Sequence, residues 1–188
     1  MKKFFFFALA AAFAFVACNN DDEVTKDKDK TVYDYTKLVF NEANATAAAD
    51  AEKFVEFYNT GDVDLSMEGV VIKRTDENGE TAEVWTGLAS EVCPKKGFFV
   101  IQGTKKSLDR SLSSGLSAKK GVKLEAFDKD GKSFASVQHG TPSGAAATTL
   151  QTGIWARIPD GGAWKNVTNA TPGAANDATG AQDDPELI

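Results

Sequence analysis

From residue 37 onward apolar and polar residues alternate with a period of two, and helical periodicity is scarce. Eight segments carry this alternation or a short apolar run. They are KLVFNEA (37–43), KFVEFYN (53–59), GVVIKR (69–74), AEVW (82–85), GFFVIQG (97–103), GVKLEAF (121–127), SFASVQ (133–138) and GIWARIP (153–159). In the first, Leu38 and Phe40 share a face; in the sixth, Val122, Leu124 and Ala126 do. TDENGET, with Asn78–Gly79 at its tip, joins the third segment to the fourth, and DKDGK joins the sixth to the seventh. Asn and Gly tolerate the positive φ that hairpin turns demand. The run GFFVIQG, bounded by glycines, predicts a strand buried on both faces. About eight antiparallel strands joined mostly by short turns predict an all-β sandwich.

Two stretches resist this pattern. Residues 104–120 are polar with leucines at 108, 112 and 116, and Ser113, Ser114 and Gly115 oppose a helix. They predict a long connection that tucks Leu108 and Leu112 over the end of the sandwich. Residues 140–153 form a small-residue loop of a length that is unusual unless used or merely mobile.

The N-terminus has a different character. Lys2 and Lys3 precede a 14-residue uncharged, mostly apolar run, Phe4 to Ala17. A spanning helix needs about 20 such residues. The run fits the apolar region of a secretory signal, residues 1–17. It ends FVAC, and Ala17–Cys18 resembles the lipobox of bacterial lipoproteins, with Phe15 where Leu is usual. The resemblance implies that Cys18 becomes the acylated first residue and that its acyl chains anchor the protein to a membrane. Asn19, Asn20, Asp21, Asp22 and Glu23 resemble a surface-export signal of some Gram-negative lipoproteins; the alternative is a solvated spacer. Together these features imply an outer-membrane lipoprotein of the bacterial envelope, exposed at the surface. Residues 18–36 read as a charged, flexible tether and residues 177–188 as a frayed acidic tail. The folded domain then spans 37–176, long enough to bury its own core.

Charge and cysteine usage narrow the functions. Loss of the leader takes basic residues from 21 to 19 against 27 acidic ones, a net charge of about −8. Lysines cluster no further than pairs such as 95–96, 105–106 and 119–120 and form no basic stripe, so nucleic acid is not an expected partner. With Cys18 lipidated, Cys93 has no partner for an intramolecular disulfide; it reads as an inert packed thiol rather than a reactive one.

The segments LVFNEAN, FVEFYNTGDVDLSMEGVVIKR, CPKKGFFVIQG, KLEAFDKDGK and WARIPDGGAWKNVTNATPGAAN, in this order, resemble a lamin-tail domain over roughly 37–176. The most specific pieces are Asn41–Glu42, Glu56 to Asn59 followed by VDLS, and the closing TPGAAN. The departures are Met67-Glu68-Gly69, where a tryptophan is common, and the 140–153 insertion. The resemblance implies an immunoglobulin-like sandwich, found in bacteria on secreted and surface proteins and not known as a catalyst. It directs attention to Glu42, Glu56, Asn59 and Arg157. The expectation is a structural polar cluster in which one or both glutamates pair with Arg157 or accept backbone hydrogen bonds, shielded by Phe54 and Tyr58. The alternative is a cation site of Glu42, Glu56 and Asn59, since hard cations take carboxylate and amide oxygens.

Other candidate chemistry is thin. DKDG (128–131) lacks the remaining calcium-loop ligands and reads as a hairpin turn. His139 is the sole histidine, GTPSG is not a nucleophile elbow, zinc ligands are too few, and no Gly-rich phosphate loop opens a helix. No cofactor and no enzyme activity are expected. Trp164, in the turn-rich DGGAWKN, is a candidate ligand contact or a cap on the sandwich. The expected function is a lipid-anchored, non-catalytic module that binds a protein or glycan; the alternative is a structural accessory lipoprotein without a ligand site.

Overall fold

The computed structural model describes residues 32–46, 52–104, 110–140 and 153–188. The leader, Cys18, the tether through residue 31, Leu108 and the loop 141–152 lie outside the described residues. Contacts divide the chain between Val32 and Tyr33, and the unit Tyr33–Ile188 is described below. Among the described residues no helix is long and apolar enough to cross a membrane.

Eleven strands are present among the described residues: β1 (Leu38–Asn44), β2 (Phe54–Asn59), β3 (Leu65–Ser66), β4 (Val71–Thr75), β5 (Thr81–Thr86), β6 (Val92–Cys93), β7 (Phe98–Gln102), β8 (Val122–Phe127), β9 (Ser133–His139), β10 (Ile154–Ile158) and β11 (Ala163–Asn166). All eight segments expected from the alternation are strands; β3, β6 and β11 are additional. One sheet runs β11-β10-β1-β2-β7 and a second β5-β4-β8-β9, while β3 pairs with β6. Every ladder between named strands is antiparallel. The result is an all-β antiparallel sandwich.

The inward faces explain why these residues form these layers. Leu38, Phe40, Val55, Phe57, Phe99 and Ile101 of the first sheet meet Ile72, Val84, Leu124, Ala126 and Val137 of the second in one buried cluster. Phe40 and Phe57 stack with centroids 4.4 Å apart, and Trp85 meets the edge of Phe99 at 5.7 Å. Burial of each such side chain contributes about 1.5–3 kcal/mol. Met67, standing where the resemblance expects a tryptophan, is wholly buried in the same cluster.

Both turns follow their chemistry. In each, an aspartate (Asp76 or Asp128) accepts from the backbone N–H groups two and four residues on. Gly79 and Gly131 take the positive φ; Asn78 does not. Leu112 and Leu116 are buried, so the 110–120 connection does cover the core.

Three expectations need correction. Strand β7 is not buried on both faces. It is an edge strand with Phe99 and Ile101 inward, and its outer face is only half-buried, with Phe98 stacked on Tyr58. The tether does not reach residue 36. Asp34 caps a 3₁₀ turn at Tyr35–Lys37, and Tyr35 is buried with its hydroxyl donating to Ser66 O at 2.7 Å. An aromatic pair in a charged segment can pack, and Tyr33 and Tyr35 do. Finally, residues 177–188 are not frayed: Gln182 bridges to Asn166 and Leu187 to His139, with Asp184 and Leu187 buried.

At Gly87 a Cβ would stand 1.9 Å from the carbonyl oxygen of Met67. Gly87→Ala is expected to lower unfolding stability by about 2 kcal/mol or more, despite the usual gain from replacing glycine. Gly79→Ala, with φ +81° but open space around it, is expected to lose only about 1 kcal/mol. Urea denaturation midpoints of the two variants check the ordering.

Candidate functional site

The site starts from a defect in β1. The pairing of β1 with β2 shifts between Phe40 and Glu42, so Asn41 is the extra residue of a β-bulge. Leu38 and Phe40 point inward before it, Ala43 and Ala45 after it. Asn41 and Glu42 are therefore free to serve the outer face. Glu42 lies directly across from Glu56 of β2, and both are fully buried. What buries them is the segment 168–176 with the turn at Asp160–Gly161, lying over the outer face of the five-stranded sheet.

Each carboxylate holds a different part of that segment. Glu42 accepts from Thr171 N–H at 2.9 Å and from Thr171 Oγ1 at 3.0 Å. Glu56 Oε2 accepts from Gly173 N–H at 2.6 Å. Asp160 accepts from Asn176 N–H at 3.1 Å. Asn41 links two of them, its Nδ2 donating to Glu56 Oε1 (3.3 Å) and Asp160 Oδ1 (3.0 Å), while its Oδ1 accepts from Gly161 N–H (3.0 Å). Asn176 Nδ2 returns to Asn41 O and Arg157 O. The closing TPGAAN is thus fastened by backbone amides donating to buried acids. Gly173 has φ +81°, a conformation that suits glycine where its amide must turn inward.

The electrostatics follow from burial without a cation. Among the described residues no lysine or arginine pairs with Glu42, Glu56 or Asp160. Burial raises the Glu42 carboxyl above its ordinary value, the Thr171 bonds oppose the rise, and the Asp160 charge adds to it. Burial pushes Glu56 up to about 8, against the Gly173 and Asn41 hydrogen bonds and with further repulsion from Glu42 and Asp160. The arrangement clamps the chain's own backbone, and fully buried carboxylates cannot be reached by a solute.

The expected partners are placed elsewhere, and strand parity gives the reason. Glu42 pairs with Ala156, so Arg157, one residue on, projects to the opposite face of the sheet. There its Nε donates to Phe40 O at 2.8 Å and its Nη1 to Gly162 O at 2.6 Å. The expected Glu–Arg157 pairing is therefore replaced by the backbone alternative. Asn59 is three residues from Glu56, about 10 Å along β2 and on the inner face. Its side chain fastens the turn after β2, donating to Val63 O and Cys93 O and accepting from Gly61 N–H. It cannot complete a cation site with the two glutamates, and among the described residues no three His, Cys, Asp or Glu side chains converge as a metal set. Phe54 is buried beside Glu56 and Tyr58 half-buried on the same face.

Trp164 lies on β11, opposite Arg157, rather than in a turn. The guanidinium carbon sits 4.8 Å from its ring centroid, and the ring packs against the main core, which is the capping arrangement. Cys93 is buried, and burial pushes its thiol up to about 12. His139 stacks on Trp155 at 4.5 Å and its Nε2 lies 3.1 Å from Asp184 Oδ2, with both side chains enclosed. Asn41, Asp160, Thr171, Gly173 and Asn176 were not singled out as site residues. Two consecutive polar residues interrupting the alternation in LVFNEA were the local signal for the bulge.

A carboxyl with a higher pKa folded than unfolded keeps its proton in the native state over that interval. Folding then takes up a proton, and stability falls as pH rises from about 4.5 toward about 8, where Glu56 titrates in the folded chain. Its slope is expected to approach 1 kcal/mol per pH unit, near the ceiling of about 1.4 for one proton. Glu56→Gln should flatten the Glu56 part of that slope, and Glu56→Ala should lose about 1–3 kcal/mol by leaving the Gly173 amide unpaired. Denaturation midpoints from pH 5 to 8 read all three chains.

Compared with models of known protein families and with curated proteins, the chain matches none, and the lamin-tail resemblance rests on the quoted segments and their order.

Proposed function

We propose that the protein is a lipid-anchored, non-catalytic interaction module of the bacterial outer membrane, a lamin-tail-like domain displayed at the cell surface. The observation that carries the reading is the N-terminal sequence: Lys2–Lys3, the apolar run Phe4 to Ala17, and FVAC ending at Cys18. Acyl chains on Cys18 hold the protein in the membrane, and more than one chain makes that anchoring durable. A non-catalytic role is supported by the placement of the two side chains best suited to nucleophilic or acid–base work. Cys93 and His139 are both enclosed in the sandwich.

A protein partner is favoured over a glycan. Trp164, the candidate for stacking on a sugar, has its ring covered by Arg157. Val63, Leu88 and Val92, in contrast, are exposed in and beside the β3–β6 ladder, and exposed aliphatic groups suit a protein surface.

Mass spectrometry of the N-terminal fragment should show an acylated cysteine, and Cys18→Ser should leave the protein unacylated and out of the membrane fraction. An unmodified Cys18 in membrane-bound protein overturns the anchor. Proteases added to intact cells should digest the domain; protection until the outer membrane is broken overturns surface display. Crosslinking on intact cells, repeated with Val63→Asp and Leu88→Asp, should lose a protein adduct. No adduct from the unaltered chain favours the accessory role.

A further inference from the structure

The segment 181–188, AQDDPELI, does more than pack. Gln182 exchanges two 2.9 Å backbone hydrogen bonds with Asn166, the last residue of edge strand β11. Six residues later the same segment pairs with β9, an edge of the other sheet. Gln138 N–H donates to Ile188 O (2.6 Å), Ile188 N–H to Gln138 O (2.9 Å), and Gly140 N–H to Glu186 O (3.0 Å). One short segment therefore pairs with an edge of each sheet on the same side of the sandwich.

Between these pairings lie two side-chain sockets. Asp184 enters a polar one: its Oδ2 accepts from Asn166 Nδ2 at 2.5 Å and lies 3.1 Å from His139 Nε2, and the carboxylate is wholly enclosed. Trp155, stacked on His139, holds the imidazole flat. Leu187 enters the main apolar core. Upstream, Asn176 is fixed by Asp160, and residues 177–180 make exposed hydrogen bonds such as Asn169 with Asp177 and Thr168 with Thr179, while Ala181 packs against Ile154, Ala156 and Val167. Leu187 N–H donates to Asp184 O at 3.1 Å, so a turn presents the two side chains to their sockets, while main-chain bonds that read no sequence hold the segment to an edge at each end.

We propose that the groove between β9 and β11 is a peptide-binding site for an Asp-x-x-Leu turn flanked by edge-pairing residues, that residues 182–188 are its tethered ligand, and that a second copy of this chain supplies the same segment when its own leaves. Edge strands left open are templates for pairing with another chain, and the tethered ligand keeps both edges closed. The leash 177–180 is where exchange between copies would cross over.

The test uses the full chain with a protease site inserted between Thr179 and Gly180. After cleavage, a fluorescent AQDDPELI peptide is added in excess. The cut chain should release its own segment and bind the labelled one, and peptides carrying Asp184→Ala or Leu187→Ala should bind about tenfold more weakly or worse. Should cutting unfold the body, refolding with the native peptide must restore the tryptophan fluorescence, and the altered peptides must not. Failure to exchange, failure to restore, or equal binding of altered peptides overturns the site. Two mass-tagged uncut forms, mixed at high concentration, should give mixed dimers; a groove that takes free peptide but never yields them overturns the second copy as occupant.

Discussion

One extra residue in β1 organises the molecule. Without the bulge at Asn41, period-two alternation from Leu38 and Phe40 would carry Glu42 to the core and Ala43 to the surface. An unpaired carboxylate among Phe57, Ile72 and Leu124 would cost several kcal/mol. With the bulge, aliphatic and aromatic side chains stay inside on both sides of it, and the polar pair Asn41–Glu42 faces outward. β1 is also the central strand of its sheet, hydrogen-bonded to β10 and β2. A register change there would pass to every strand in the layer.

The outward acids then decide how the rest of the chain folds over the sheet. Glu42, Glu56 and Asp160 lack lysine or arginine partners among the described residues, so backbone amides of 171–176 are their donors. Buried polar groups must find hydrogen bonds, and here the two unsatisfied sets, loop amides and strand carboxylates, satisfy each other. Asp184 repeats the same logic on the other side of the sandwich, with Asn166 as a donor and the His139 ring within hydrogen-bond distance. Both networks draw residues distant in sequence onto a strand edge or face, which is why segments rich in small and acidic residues are ordered.

How much was legible can be judged from particular residues. The eight strand segments could be read because alternation is a local signal, and each hairpin aspartate and glycine acts within five residues. Glu42 and Glu56 could be singled out as carboxylates in strand-like segments, together with the possibility of backbone donors. Their failure to meet Arg157 could not be read, because it depends on which residue of β10 pairs with Glu42. A shift of one residue exchanges faces. Asn59 stands near Glu56 in sequence, but three residues in a strand separate them by about 10 Å and turn the side chain to the other face. Gly161 and Gly162 make the segment before Trp164 look like a turn, but pairing with Arg157 makes Trp164 a strand residue.

The sequence by itself determined the class of fold, the hairpin turns and the acidic balance, because these depend on neighbouring residues and composition. Tertiary structure alone decided the partners of the buried acids, the enclosure of His139 and Cys93, and the docking of 182–188. Those contacts join residues 15 to 129 positions apart, and no local pattern states which amide or edge a distant segment will meet. An acidic tail and a disordered one share a composition. What separates them here is two open sheet edges and a pair of side-chain sockets, which exist only once the sandwich has formed.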